Sequence, residues 1–383
     1  MTPGARVQAA IEILDRVLAG APAEAELTPW ARASRFAGSG DRAAVRDLVF
    51  DSLRRRRSRA ALGGSDSGRG LMIGMCRDNG LDPDSLFTGE GHAPAALSAA
   101  ERNHQPPAVD GIRDLPDWLA DRLSADLGPA FPAVAAALRD RAPVWLRVNV
   151  ARATPAAATA RLAQDGIEVS AWPGLASALR VEAGARKVAG SAAYRDGLVE
   201  LQDLSAQLSC AAMQVTPGER VLDWCAGGGG KALALAAVGA KVTAHDADPA
   251  RMRDLPARAR RAGARIEMAP PSSSTGQYGL VVTDVPCSGS GTWRRTPDAK
   301  WRLTPADLDR LTEIQLAILR DAADHVRPGG RLGYMTCSLL RVENEDRIAR
   351  FLLDRPDFRL QHTETLTPET ASDGFFHALM LRD

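Results

Sequence analysis

Cysteine is scarce in this sequence, and the spacing of the few that occur excludes two common roles. The five cysteines lie far apart and no two form a Cys-x-x-Cys pair, a pattern that speaks against a disulfide framework and against a zinc site. We therefore expect no metal centre, and a reducing compartment in which free thiols can react. The cysteines are Cys76, Cys210, Cys225, Cys287 and Cys337.

Net charge and long apolar runs are also lacking. Lys and Arg number 48 against 47 for Asp and Glu, so a polyanionic partner would have to be held by local basic patches. Glu12, Asp15 and Arg16 interrupt the N-terminal segment where a signal peptide has its apolar core, and no apolar run reaches the roughly 18 residues of a membrane span. These absences predict a cytoplasmic protein that does not associate with membranes.

The 383 residues suffice for two or three domains, and the apolar pattern changes twice along them. Helical spacing, as in Val7, Ile11 and Leu14, dominates the beginning, and the polar, Pro-rich stretch over 101–107 predicts a linker. A helical pattern followed by a strand-like run over 144–148 predicts a small α+β segment. The expected domains are a helical domain over 1–110, an α+β segment over 111–200 and a third domain over 201–383.

Beyond residue 218, short apolar or β-branched runs alternate with helical patterns, which is typical of a parallel sheet covered by helices. The longest helix is predicted to begin after Thr304, with Pro305 at its first position, and to end at Arg327–Gly330. Ligands of such sheets bind beyond the carboxyl ends of the strands. The predicted strands are 220–222, 241–244, 280–283 and 331–335.

A glycine-rich loop follows the first of these strands and runs into a helix. Its glycines let a ligand approach the backbone, and the helix N-terminus offers free N–H groups to an anion. A Walker loop is excluded, because Cys225 and Ala232 stand where that motif needs Gly and Ser or Thr. A dinucleotide fingerprint and a glycine turn without a ligand both stay open. The loop consists of Cys225, Ala226, Gly227, Gly228, Gly229, Gly230 and Lys231.

Asp246 follows the next strand, at about the 20-residue offset at which an acidic side chain binds ribose hydroxyls. The alternative is that Asp246 or Asp248 caps a helix that begins near Pro249. Taken together with the glycine loop, Asp246 predicts a nucleoside site.

Cysteines follow two further predicted strands. The run 283–292 places Asp284 and Cys287 just past one strand, and 334–338 places Cys337 past the next. Alone, either cysteine would be explained as a small buried hydrophobe. Two cysteines beside an aspartate and a nucleoside-type pocket instead predict thiol chemistry on a bound ligand.

These motifs resemble the Sun/RsmB/Nop family of RNA cytosine-carbon-5 methyltransferases, over residues 201–353. The helical start is similar to the NusB-type RNA-binding domain of the bacterial ribosomal branch. The resemblance implies an α/β fold, a Rossmann-like class I methyltransferase domain with a mostly parallel sheet, preceded by a small α+β segment and an all-α NusB-like domain. The motifs are Cys-Ala-Gly-Gly-Gly-Gly-Lys at 225–231, Asp-Val-Pro-Cys-Ser-Gly-Ser-Gly-Thr at 284–292, the run 294–301, and Thr-Cys-Ser at 336–338.

The resemblance also implies a cofactor, S-adenosylmethionine, held by the glycine loop, Asp246 and Asp284. In the family the cysteine of the Thr-Cys motif attacks the base and that of the Pro-Cys motif assists product release, which makes Cys337 the nucleophile and Cys287 the release cysteine. A thiolate added at carbon 6 makes the electron-poor carbon 5 of cytosine nucleophilic. Asp284 is expected to hydrogen-bond the cytosine edge. Lys231 is expected to lower a thiol pKa or bind the donor carboxylate, unless it faces solvent.

RNA is the partner that the resemblance implies, and basic residues are the candidate phosphate contacts. Arg294, Arg295 and Lys300 lie just after the Pro-Cys motif, so we predict RNA contact there. Arg54–Arg57 and the arginines of 251–265 are equally well explained as solvated helix faces. The NusB-like start favours small-subunit ribosomal RNA, with transfer RNA as the alternative, and we expect a monomer.

Two departures from the family leave other functions open. Gly228 replaces the usual Pro, which loosens the loop. The family commonly has an acidic residue for the adenine edge of the cofactor after its third strand. The corresponding stretch of this chain, between the strands predicted at 241–244 and 280–283, reads Glu267-Met268-Ala269-Pro270-Pro271-Ser272, in which only Glu267 could substitute. A catalytically weakened RNA-binding scaffold and a dinucleotide oxidoreductase remain alternatives, although an oxidoreductase leaves both cysteine motifs unexplained.

Overall fold

The chain divides into two compact units in a computed structural model that describes residues 1–109, 111–269 and 277–383. Unit 1 comprises Met1–Arg141 and Trp293–Thr304, and unit 2 comprises Ala142–Thr292 and Pro305–Asp383. Within both units, none of the described helices is long and apolar enough to span a bilayer.

The helices and strands are numbered in chain order over the described residues. The helices are α1 Pro3–Leu18, α2 Ala23–Ala33, α3 Ser39–Arg54, α4 Arg56–Gly63, α5 Gly68–Asp78, α6 Ala99–Asn103, α7 Asp117–Leu127, α8 Phe131–Ala137, α9 Pro155–Gln164, α10 Ala192–Arg195, α11 Leu204–Ala212, α12 Gly230–Ala237, α13 Leu255–Ala262, α14 Ala299–Arg302, α15 Pro305–Ala323 and α16 Glu345–Asp354. The strands are β1 Val144–Val148, β2 Glu168–Trp172, β3 Leu175–Ala183, β4 Val199–Leu201, β5 Arg220–Asp223, β6 Lys241–Ala244, β7 Ile266–Met268, β8 Tyr278–Asp284, β9 Val326–Thr336, β10 Phe358–Leu366 and β11 Phe375–Arg382.

Unit 1 is helical and contains α1–α8 and α14. Val7, Ile11 and Leu14 of α1 are buried in its core, as the helical spacing predicts. The chain turns between α4 and α5 at residues 63–68, where Gly64 adopts a left-handed φ of 85° that ends α4. The helical N-terminal region predicted from the sequence is therefore confirmed.

Unit 1 extends beyond residue 110, where we expected the first domain to end. Asp114 is buried and accepts hydrogen bonds from the backbone N–H and the hydroxyl of Ser58, at 3.0 and 2.8 Å. Arg57 pairs with Asp117, the first residue of α7. These contacts hold α7 to the preceding helices, so the compact unit ends near Arg141.

Unit 2 begins with an antiparallel sheet of β1–β4. Its strand order is β2-β3-β1-β4, and β1 pairs with β3 through Val144 and Val181 and with β4 through Leu146 and Leu201. Helix α9 packs its buried Ala158 and Leu162 against this sheet. The predicted strand over 144–148 and the α+β character of this segment are confirmed.

The larger sheet of unit 2 has the order β10-β11-β9-β8-β5-β6-β7 over the described residues. The strands β9, β8, β5, β6 and β7 run parallel, whereas β11 is antiparallel to both β9 and β10. The strand order reverses between β5 and β8, which creates the crevice in which open α/β sheets bind ligands. The predicted Rossmann-like, mostly parallel sheet is confirmed, and every predicted strand lies inside an observed one.

The predicted end of the longest helix is wrong. Helix α15 already ends at Ala323, and Arg327–Gly330 lie inside β9. A proline in a strand cannot donate a ladder hydrogen bond, and the register between β8 and β9 shifts between Tyr278 and Leu280 opposite this stretch. The Pro-Gly-Gly sequence therefore marks an irregularity in a strand and not the end of a helix.

Candidate active site

The carboxyl ends of β5 and β8 are joined by an ion pair. Lys231, near the start of α12, places its Nζ 2.5 Å from Oδ2 of Asp284, the last residue of β8. Burial lowers the pKa of Lys231, but the charge and hydrogen bond of Asp284, together with the nearby Cys210 and Asp223, outweigh it, so the net pKa lies above the usual value. Lys231 therefore stays charged and bound to Asp284, and the alternative that it faces solvent is wrong.

The glycine loop needs glycine for steric and conformational reasons. Gly227 and Gly229 have left-handed φ angles of 50° and 81°, and a Cβ on Gly229 would lie 2.2 Å from Cδ1 of Leu255. The guanidinium of Arg258 donates to the carbonyl oxygen of Gly228, where the resemblance leads us to expect Pro. This hydrogen bond restrains the loop, which lacks the rigidity that a proline at position 228 would give.

Asp246 is directed into the glycine loop. Its Oδ2 accepts the backbone N–H of Gly227 at 2.9 Å and lies 3.2 Å from Nη1 of Arg251. The helical turn at Pro249 is capped by Asp248, whose Oδ1 accepts the N–H of Ala250. The capping role thus belongs to Asp248, whereas Asp246 is buried and its Oδ1 accepts the backbone N–H of Asp248 at 3.0 Å.

The two motif cysteines meet at the ends of neighbouring parallel strands. Because Asp284 of β8 pairs with Met335 of β9, the loops after these strands bring Sγ of Cys287 within 3.3 Å of Sγ of Cys337. Both cysteines are free and partly exposed. The hydrogen bond to Cys337, together with burial, raises the pKa of Cys287 well above the usual value, so Cys287 stays protonated, and either sulfur can donate the hydrogen bond.

A buried carboxylate that the sequence analysis missed holds both cysteine loops. Glu343 is fully buried and accepts hydrogen bonds from the backbone N–H of Ser288 at 2.8 Å, the hydroxyl of Ser338 at 2.5 Å and Nε2 of Gln315 at 3.0 Å. Ser288 follows Cys287 and Ser338 follows Cys337, so Glu343 fixes the residue next to each thiol. The only signal in the sequence is an acidic residue after the apolar pair Leu339-Leu340, which does not reveal burial.

Asp223, at the end of β5, is a second carboxylate that the sequence analysis did not single out. It is fully buried, and neither of its carboxylate oxygens has a hydrogen-bond partner of good geometry among the described residues. Burial raises its pKa to about 7, against the opposing effect of Lys231. A buried acid that no described side chain hydrogen-bonds, next to Gly227–Gly230, fits a positively charged cofactor that lies on these glycines.

Two other loop positions complete the cofactor side of the site. Burial raises the pKa of Cys225, so this third thiol stays protonated and is no nucleophile. Ala226 closes the turn, because its carbonyl accepts the N–H of Gly229 at 2.8 Å.

Glu267, the candidate for the adenine edge, is exposed on β7, while Pro270, Pro271 and Ser272 lie outside the described residues.

Two of the three residues predicted to contact RNA are buried in unit 1. Lys300 is only 1% exposed and its Nζ donates to the carbonyl of Arg54 at 3.1 Å, while Arg294 is 6% exposed and its carbonyl accepts from Nε of Arg54 at 2.7 Å. Side chains buried in this way cannot reach a phosphate, so the prediction is corrected for Arg294 and Lys300. Arg295 is half-buried and keeps part of its surface.

The other predicted basic patches are neutralised by acidic neighbours within their own unit. In unit 1, Arg56 pairs with Asp66 at 2.6 Å. In unit 2, Arg261 pairs with Glu200 at 2.7 Å, and Arg258 lies 3.4 Å from the same carboxyl group. Ion-paired helix faces therefore explain much of these clusters.

Comparison with known proteins identifies the chain. Residues 210–381 match the family of 16S rRNA methyltransferase RsmB/F, and residues 115–188 match the ferredoxin-like domain of RsmF/B-like methyltransferases. The ribosomal RNA small subunit methyltransferase B of Xanthomonas campestris pv. campestris is 35% identical over 311 residues, 75% of this chain and 71% of that protein. The protein of the same name from Sodalis glossinidius is 34% identical over 308 residues, 76% of this chain and 69% of that protein.

A solved structure has the same fold. The crystal structure of PH0851 superposes with a TM-score of 0.77, covers 99% of both chains and is 22% identical in sequence. Together with the two curated relatives and the motif geometry, these matches confirm the resemblance: the chain belongs to the RsmB/F family of 16S rRNA methyltransferases and is an S-adenosylmethionine-dependent RNA methyltransferase.

Proposed function

We propose that the chain methylates carbon 5 of a cytosine in small-subunit ribosomal RNA, with Cys337 as the nucleophile. The observation that carries this proposal is the pair of partly exposed thiols, 3.3 Å apart, that follows Asp284 and Thr336 at the mouth of the sheet. The relatives named ribosomal RNA small subunit methyltransferase B support the choice of RNA. The reaction places the enzyme in the cytoplasm, where this RNA is found.

Cys337 carries out the covalent step. Its thiolate adds to carbon 6 of the cytosine, a sulfur–carbon bond forms, and the electron pair of the carbon 5–carbon 6 double bond makes carbon 5 nucleophilic. When bound, S-adenosylmethionine supplies the methyl group as an electrophile. A base then removes the proton of carbon 5, the double bond forms again, and the Cys337 thiolate leaves carbon 6.

Cys287 is the release cysteine in this scheme. Its raised pKa keeps it protonated at neutral pH, and its sulfur lies 3.3 Å from that of Cys337, within reach for an S–H hydrogen bond to the departing thiolate. A hydrogen bond to the departing thiolate lowers the energy of the leaving group and favours cleavage of the sulfur–carbon bond. Glu343 keeps the two loops in register for this exchange, through Ser288 and Ser338.

Asp284 and Lys231 orient the base. The Lys231 ammonium fixes the carboxylate of Asp284, which is still 31% exposed and thus open to a ligand. A carboxylate in this position can accept a hydrogen bond from the cytosine edge and stabilise the positive charge that develops at ring nitrogen 3 when the thiolate adds. The target base must be unpaired or turned out of its stack to reach it.

The remaining parts of the chain bind the cofactor and the RNA in this proposal. The glycine loop and Asp246 hold S-adenosylmethionine at the ends of β5 and β6, because Gly227–Gly230 carry no side chains that would keep a ligand from the backbone and Asp246 follows β6 at the ribose position. Residues 1–110, with their helical fold, serve as the NusB-like RNA-binding domain, residues 111–200 form the segment before the catalytic domain over 201–383, and the enzyme works as a monomer.

The proposal is tested with radiolabelled S-adenosylmethionine and small-subunit ribosomal RNA from a strain that lacks the gene, followed by bisulfite sequencing of the product. Cys337→Ala should abolish labelling. Cys287→Ala should accumulate a covalent protein–RNA adduct that survives denaturation, because the thiolate adds but is not released. Cys76→Ala, which removes a buried thiol of unit 1, is the matched control and should keep labelling.

The outcome discriminates between the cysteine roles and between the RNA classes. An adduct with Cys337→Ala, and none with Cys287→Ala, would show that the two roles are reversed. Labelling of transfer RNA in place of ribosomal RNA would refute the proposed substrate but would be consistent with the proposed cysteine mechanism. RNA binding without any calorimetric signal for the cofactor would point to an inactive scaffold.

A further inference from the structure

Three side chains with metal-binding atoms converge on the last two strands of unit 2, outside the methyl-transfer site. His362 and Glu364 lie on β10, and His377 lies on β11 directly opposite Glu364. One imidazole nitrogen of each histidine and one carboxylate oxygen all lie within 4.8 Å of one another. Two imidazoles and a carboxylate are a donor set typical of zinc and related divalent ions.

A β-bulge creates this alignment. The register between β10 and β11 shifts between Leu360 and His362, which leaves Gln361 as the extra residue. If the pairing of Leu360 with Met380 continued without the shift, Phe376 and not His377 would stand opposite Glu364. The bulge therefore brings both residues of β10 to the imidazole of β11.

The hydrogen bonds around His377 determine which ring nitrogen is bare. The hydroxyl of Ser209 donates to the carbonyl of Ser205 at 2.9 Å and lies 3.1 Å from Nδ1 of His377. A hydroxyl has a single hydrogen, so while Ser209 donates to Ser205 it accepts from Nδ1–H of His377. The proton of the neutral ring is then on Nδ1, and Nε2 carries a lone pair.

The Nε2 atom of His377 is buried and unpartnered. His377 is 0% exposed, and its Nε2 has no hydrogen-bond partner among the described residues. Oε2 of Glu364 is 3.7 Å away, which is too long for a hydrogen bond. The lone pair on Nε2 of His377 and the carboxylate of Glu364 therefore face each other with no proton between them.

We propose that His362, Glu364 and His377 bind a divalent transition-metal ion of the zinc class. The ion would take the lone pair of His377, the carboxylate of Glu364 and one nitrogen of His362, and a fourth position stays open to water. Ser209 orients the buried ligand through Nδ1–H, as hydrogen-bonded partners of metal-bound histidines commonly do. The ion would fasten the edge strand β10 to β11 and helix α11.

This proposal departs from the expectation of no metal centre that followed from the cysteine spacing. The ligands come from two strands that are adjacent only in the folded sheet, and the short sequence pattern His-x-Glu is uninformative by itself. The proposal does not depend on the methyl-transfer reaction, because the two sites share no side chain.

The test is a titration of the full-length, chelator-treated protein with Co²⁺, followed by visible absorption. We expect about one equivalent to bind, with ligand-field bands and without the sulfur-to-cobalt charge-transfer band that the thiols Cys287 and Cys337 would produce. His362→Gln and Glu364→Gln should each weaken binding about 100-fold or more, and Ser209→Ala about 10- to 100-fold. His362 and Glu364 are exposed, so their variants should stay folded.

His92→Gln is the matched control, since His92 is an exposed histidine of unit 1, and it should bind Co²⁺ as the unaltered protein does. Zn²⁺ should raise the melting temperature of the unaltered protein and of this control, but not that of Glu364→Gln. Absence of binding, binding that the three substitutions leave unchanged, or a spectrum dominated by sulfur ligands would each overturn the proposal.

Discussion

Two consecutive stretches that follow β8 belong to different compact units. Residues 284–292 stay in unit 2 and carry Asp284 and Cys287, whereas residues 293–304 pack in unit 1. Both stretches belong to the motifs that resemble the family, and both contain charged or reactive side chains. They differ in burial: Cys287 is partly exposed, but Trp293 and Lys300 are at most 1% exposed.

Residues 293–304 supply hydrogen-bond donors to the C-terminal end of helix α3 in unit 1. The carbonyls of Leu53 and Arg54, at the end of α3, lack partners within their own helix. The indole N–H of Trp301 donates to the first at 2.8 Å, and Nζ of Lys300 donates to the second at 3.1 Å. A basic residue close to the catalytic cysteine in sequence can thus serve stability and not substrate binding.

The largest effect is expected on the methyl-transfer rate, from a substitution in residues 284–292. Asp284→Asn removes the charge that pairs with Lys231 and that stabilises the attacked base, so methyl transfer should fall about 100- to 10,000-fold while the protein stays folded. The measurement is the single-turnover rate of labelling with saturating RNA. Asp309→Asn, an exposed isosteric change on α15, should leave the rate unchanged. A normal labelling rate of the Asp284→Asn enzyme would show that Asp284 takes no part in methyl transfer.

A smaller effect, on stability, should come from the second stretch. Burial lowers the pKa of Lys300 from 10.5 to about 7. Between these values the unfolded chain holds a proton that the folded chain has lost, so the free energy of unfolding rises with pH, by at most about 1.4 kcal/mol per pH unit. Below pH 7 both states are protonated and this dependence vanishes.

The substitution Lys300→Met should remove this contribution. The stability of the unaltered protein minus that of the variant should therefore increase from pH 7 to pH 10, as measured by denaturant unfolding at several pH values. Taking the difference cancels the titration of all other groups, cysteines included. A difference that does not change with pH would mean that the pKa of Lys300 is the same in the folded and unfolded states, so that burial does not lower it.

The smallest effect concerns the part of the second stretch that keeps some exposed surface. Arg295→Gln should weaken RNA binding a few-fold and lower the slope of log affinity against log salt concentration by about 1, if Arg295 contacts one phosphate. The measurement is a filter-binding titration at several salt concentrations. Arg310→Gln, an exposed arginine on α15, is the control. An unchanged slope would exclude Arg295 as a phosphate contact.

Much of the site was predictable because its residues directly follow strands. Alternation of apolar runs and helical patterns located β5, β6, β8 and β9, and the carboxyl ends of parallel strands meet at one edge, so Asp284, Cys287 and Cys337 had to lie close together. The residues that support this site were not predictable. Glu343 looks like any acid in a loop until its three donors are known, and Asp223 differs from an exposed aspartate only by its burial.

The amino-acid sequence by itself determined the order of the elements, the glycine loop, the two cysteine motifs and the family, because these depend on local periodicity and on residues near one another in the chain. Only the tertiary structure decided that Lys300 closes a helix end, that Glu343 holds two loops, and that His377 faces Glu364 across a bulge. Burial and strand register are properties of the packed chain. The same side chain is a ligand, a support or a surface group according to what surrounds it.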